Sequence, residues 1–96
     1  MIGKPCIIRS KFAGVFAGTL LSRDGDEVTV QSCRRLWYWS GASSCSELAN
    51  LGVSRPDKCR FPAPTPEQVV LGVVEIIPMS DAAVVSIAGV KPWTQH

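Results

Sequence analysis

The chain has one histidine, His96, and it is the last residue, so a rigidly held imidazole general base is not expected. It has no Cys-x-x-C pair: Cys6, Cys33, Cys45 and Cys59 are scattered and have no histidine near them. A zinc site built on such spacing lacks its usual signature, and no other cofactor motif is present. Buried free thiols are the expected state of these cysteines, with two disulfides as the alternative. Charge is scarce too. The formal net charge of +2 is spread along the chain, so the basic stripe that duplex binding requires is missing, although nucleic acid stays open as a partner. The longest apolar run, Val69 to Ile77, is interrupted by Glu75 and is too short for a membrane-spanning helix. The stretch Met1-Ile2-Gly3-Lys4-Pro5-Cys6 contains no apolar core with a cleavage site, so export is not expected and the cytoplasm is the expected compartment.

What is there is a folded domain. A hydrophobic fraction of 46 % in 96 residues predicts one domain, 1–96, with a single modest core. The densest chemistry lies in Arg34-Arg35-Leu36-Trp37-Tyr38-Trp39-Ser40-Gly41, which holds two of the three tryptophans and the only tyrosine. Its β-forming residues predict a strand. Alternation then puts Arg35, Trp37 and Trp39 on one face and Arg34, Leu36 and Tyr38 on the other.

Around this run the chain reads as short elements. Lys4 to Arg9 is a first strand. Val15 to Ser22 is a second, curved by Gly14 and Gly18. Asp24-Gly25 predicts a hairpin into Glu27-Val28-Thr29-Val30-Gln31, whose alternation turns Val28 and Val30 to the core. With the aromatic run these make a three-stranded meander, similar in pattern alone to Sm-like or SH3-like barrels. Ser44 followed by Glu47 is a capping-box pattern and predicts a helix from Cys45 to Leu51, stopped at Gly52. The four prolines within 53–66 predict a long loop with a brief edge strand near Arg60. Glu67 to Ile77 is a strand covered on both faces or one that bends at Gly72, with Glu75 a candidate partner for an arginine. Ser80 or Asp81 caps a second helix running to about Ala88 and stopped by Gly89. Trp93 is expected on the core surface, and 94–96 should fray. The fold class is thus α+β: a strongly bent, mostly antiparallel sheet, as a partly open small barrel, with two short helices.

Further segments carry a resemblance. Met1-Ile2-Gly3-Lys4, Ile8-Arg9-Ser10, Ala13-Gly14-Val15, Gly18-Thr19-Leu20, the run from Arg34 to Ala42, and Val74-Glu75-Ile76-Ile77-Pro78 resemble the small proteins of unknown function found in phages and prophages. The resemblance spans nearly the whole chain and implies a phage-encoded cytosolic protein. It supplies no functional residue.

Catalysis is not expected. Cys45, in the first turn of a helix, is the one candidate nucleophile, and no base accompanies it. Binding chemistry is better supplied. Arginine offers a planar charged fork for phosphate, and tryptophan and tyrosine offer faces on which a base stacks. Arg34, Arg35, Trp37, Tyr38, Trp39 and Arg60 are therefore the candidate ligand-binding residues. The expected function is a non-enzymatic, homo-oligomeric binder of a small phosphate-bearing ligand, such as a nucleotide signal used in host defence. The alternatives are a module that docks on and inhibits a host protein, and a minor structural phage protein.

Overall fold

A computed structural model describes residues 1–94; Gln95 and His96, and with them most of the expected frayed tail, lie outside the described residues. Five strands form one sheet: β1 (Pro5–Ser10), β2 (Gly14–Asp24), β3 (Glu27–Arg35), β4 (Thr65–Val70) and β5 (Val73–Pro78). Two helices accompany it, α1 (Cys45–Leu51) and α2 (Asp81–Ala88). The strand order is β4-β3-β2-β1-β5, and every pairing is antiparallel. β4 and β5 occupy opposite edges, yet only Leu71 and Gly72 separate them in the chain. A flat sheet cannot satisfy both facts, so the sheet curls until its two edges approach, and the result is a partly open barrel. The run 67–77 is therefore two edge strands that break at Gly72.

The curl has a local origin at Gly18. The register between β2 and β3 slips between Ala17 and Thr19 and again between Leu20 and Ser22. A Cβ on Gly18 would lie 2.9 Å from the Gln31 carbonyl oxygen and 3.2 Å from the Cys33 Cα, so only glycine lets the strands close to this distance.

Alternation along the strands makes two cores. Inside the curl, Cys6, Ile8, Phe16, Leu20, Val28, Val30, Cys33 and Val70 pack together. On the outer face, Ile7, Ala17 and Leu36 meet Leu48 and Ala49 of α1, Ile87 of α2, and Phe61 from the long connection. Val28 and Val30 are fully buried, as their alternation with polar neighbours requires.

Both helices begin where the capping residues place them. The Ser44 side chain accepts from the Glu47 N–H, and the Ser80 side chain accepts from the Ala83 N–H. The returning arm of the first cap is displaced by one residue: the Glu47 carboxylate accepts from the Ser43 N–H rather than from that of Ser44. The Ser43 hydroxyl, which also donates to this carboxylate, and the Ser43 N–H hold the Glu47 carboxyl below the usual carboxylate range. The long connection is not wholly irregular, since Pro56–Lys58 forms a 3₁₀ turn.

Candidate functional site

The aromatic run departs from its expected conformation. β3 ends at Arg35; the Leu36 N–H still donates to the Val15 carbonyl of β2 at 2.8 Å, but the chain then leaves the sheet, and Tyr38 pairs outside it with Arg60 in an isolated antiparallel bridge. Alternation holds as far as Leu36 and then fails: Arg34 and Leu36 are buried, Arg35 is exposed, but Trp37 and Tyr38 are both exposed. A chain released from the ladder is released from its two-residue period. The expected third meander strand is thus absent, and 27–35 is one continuous strand in which Ser32 has the positive φ of +51°.

Arg34 is buried rather than presented at the surface. It is 7 % exposed, and its guanidinium donates to four backbone carbonyls: Nε to Pro62 at 3.1 Å, Nη1 to Ile87 at 2.8 Å, and Nη2 to Phe61 at 3.3 Å and Val90 at 2.5 Å. It also lies over the Phe61 ring. A planar fork with five donors suits such a cluster of carbonyls, and here it ties β3 to the proline-rich connection and to the end of α2. Burial pushes its pKa down. Arg35 keeps an exposed guanidinium but anchors it, donating to the Ala13 carbonyl at 2.6 Å and lying 4.6 Å from the centroid of the buried Phe16 ring. Trp39 is half-buried against the outer core and presents little free face.

The remaining candidates converge, together with a residue the sequence reading left on the core surface. Tyr38 and Arg60 exchange two backbone hydrogen bonds, of 3.3 and 2.8 Å, which set their side chains next to each other. The Trp93 N–H donates to the Phe61 carbonyl at 2.9 Å and so brings the C-terminal segment alongside. The Arg60 guanidinium then lies 5.8 Å from the Tyr38 ring centroid and 5.6 Å from that of Trp93. Trp37 meets Trp93 edge-on, with centroids 4.9 Å apart. Trp37 is 59 % exposed and Tyr38 53 %. The sequence signal for Trp93 was only its chemistry, because nothing local shows that residues so far apart in the chain share a surface.

A tight turn fixes the end of the run. Gly41 has φ +90°, and a Cβ there would meet the Ser54 hydroxyl and lie 2.7 and 2.8 Å from the backbone nitrogens of Ser54 and Arg55. Backbone atoms cannot yield as a side chain does. Gly41→Ala is expected to destabilise the domain by roughly 2 kcal/mol or more, combining left-handed strain with a backbone clash. Urea denaturation measures it.

Elsewhere the chemistry is quiet. Cys6, Cys33 and Cys59 are buried, Cys45 is half-buried, and all four are free. Burial pushes the Cys45 thiol up and Glu75 adds to the effect, so the helix start does not produce an activated thiolate. Cys33 is pushed up to about 11 by burial. Glu75 pairs with Arg9 at 3.1 Å, as expected of a carboxylate on that strand. No helix among the described residues is long and apolar enough to cross a membrane.

A five-stranded curled antiparallel sheet with two capped helices defines a small compact α+β domain. A family model described as a domain of unknown function, DUF6948, matches residues 3–87, and the chain belongs to that family. Trp93 falls just outside the matched region. No curated protein and no solved structure matches the chain significantly.

Proposed function

We propose that this domain is a non-enzymatic binding module whose working surface is the Trp37, Tyr38, Arg60 and Trp93 cluster. Its ligand is a small planar molecule carrying phosphate, such as a nucleotide signal. The observation that supports this most is the combination of exposure with order. Two large aromatic side chains are more than half exposed, yet backbone bonds and ring contacts hold them around one arginine. Preorganised stacking faces beside a guanidinium supply what a nucleobase and a phosphate each require.

None of these four residues lines either main cavity of the domain. The surface is open, and a second copy of the chain, in a homo-oligomer, would complete an enclosed pocket. The resemblance to phage and prophage proteins favours a setting in the cytoplasm of an infected or lysogenic host, where sequestering a defence signal would be a counter-defence function.

The openness also favours a second reading, in which the cluster docks on a host protein and inhibits it, because tryptophan, tyrosine and arginine dominate interface hot spots. A panel of mono-, di- and cyclic nucleotides separates the two. The first reading expects at least one to raise the melting temperature by several degrees at saturation and to appear as a bound mass in native mass spectrometry. No shift and no bound mass across the panel would leave the docking reading in its place.

A further inference from the structure

Between the outer face of the sheet and α2 lies a cavity of about 330 Å³, apart from the aromatic surface. Its walls are apolar, with Ala17 on the sheet side, Val84 and Val90 on the helical side and Met79 between. Thr19, Ser32 and Arg34 supply its only side-chain polar groups. No aspartate or glutamate lines it, and Arg34 is its only charged residue.

Arg34 is a buried cation with no carboxylate partner, since the one ion pair among the described residues joins Arg9 to Glu75. The carbonyls it binds at the end of α2 supply partial negative charge equivalent to about half an elementary charge, so a positive excess remains. Four of its five N–H groups are engaged, and the free one is on Nη1. Ser32, at the cavity wall, is the only non-glycine residue among those described with positive φ. The register slip between Ala17 and Thr19 leaves Ser32 and Cys33 opposite Gly18, and this bulge imposes the conformation that places Ser32 at the cavity wall.

The geometry points to a second ligand site in this cavity, which takes a small apolar carboxylate with its acid group beside Arg34 and its hydrocarbon among Ala17, Met79, Val84 and Val90. One free N–H and two nearby hydroxyl side chains suit a singly charged carboxylate better than a phosphate, which would need more donors. The volume lies at the small end of ligand pockets and fits a chain of about ten carbons. Burial strengthens the attraction of Arg34 for an anion relative to the surface.

Decanoate below its micellar concentration tests this, with 1-decanol and decylamine as chain-matched controls, in calorimetry and ¹⁵N NMR on the full chain. Decanoate is expected to bind saturably at one site, shifting the amide signals of Ala17, Thr19 and Val84, and to bind at least ten-fold more tightly than either control. Val84→Trp, which fills the cavity without touching the Arg34 bonds, should weaken decanoate binding at least ten-fold while keeping the wild-type circular dichroism spectrum. If Val84→Trp fails to fold, Ala88→Phe takes its place with the same expectation. The proposal is overturned by equal binding of decanol and decanoate, by absence of saturable decanoate binding, or by unchanged affinity in the folded filling variant.

Discussion

Arg34→Met is expected to destabilise the domain by about 3 kcal/mol, and Arg34→Lys by most of that amount. The guanidinium serves four carbonyls, and these are not equivalent. The Phe61 carbonyl also accepts from the Trp93 N–H, and the Ile87 carbonyl from N–H groups of the helix end. Pro62 and Val90 have no other donor among the described hydrogen bonds. Methionine fills much of the same volume but leaves these two oxygens without a partner. Each buried orphan costs on the order of 1–3 kcal/mol, and the two weakened bonds add less. Lysine keeps the charge but has a compact ammonium with three donors, which cannot span carbonyls from two separate segments as a planar fork does. For a domain of this size the loss corresponds to a fall in melting temperature of roughly 15 °C. Urea denaturation of both variants measures it. A loss below about 1 kcal/mol would show that the connection and α2 are held by something other than Arg34.

Arg60→Ala and Trp37→Ala are expected to act the opposite way, lowering affinity for the proposed nucleotide ligand at least ten-fold while changing stability by less than about 1 kcal/mol. Exposed cation–π and edge-on aromatic contacts are each worth about 1 kcal/mol or less to the fold, and the backbone bridge between Tyr38 and Arg60 survives truncation of either side chain. Loss of one stacking face costs about 1–3 kcal/mol of binding. Loss of a charge-assisted bond to phosphate is of similar size. Calorimetric titration of each variant, beside its unfolding curve, separates the two quantities. Arg34 and Arg60, both candidates for phosphate on composition alone, should thus differ: loss of Arg34 lowers stability, whereas loss of Arg60 lowers nucleotide affinity.

Local signals made much of the fold legible. Ser44 and Ser80 placed both helix starts, Asp24-Gly25 placed the β2–β3 turn, and the Val28, Val30 alternation placed the inner core, because caps, tight turns and strand periodicity are properties of neighbouring residues. Gly18 announced the bend. The candidate site was less legible. Alternation put Arg34 on one face with Leu36 without showing which face is inward, and its four carbonyl partners lie in segments far along the chain, so nothing local marked it as the residue that ties them together. The strand pattern extended through Trp39 since aromatic residues favour strands, whereas the Tyr38–Arg60 bridge and the turn at Gly41 take this stretch out of the ladder. Trp93 entered the site through a hydrogen bond to Phe61, a long-range pairing that no local signal encodes.

The most direct test follows the indole N–H signals of the three tryptophans during titration with the nucleotide that the panel selects. Trp37 and Trp93 form the open cluster, and Trp39, half-buried against the outer core, serves as an internal reference in the same molecule. Binding at the proposed surface predicts saturable shifts of the Trp37 and Trp93 signals with one common dissociation constant, while Trp39 moves little. A ligand that binds with equal affinity while leaving Trp37 and Trp93 unmoved would contradict the assignment of this surface.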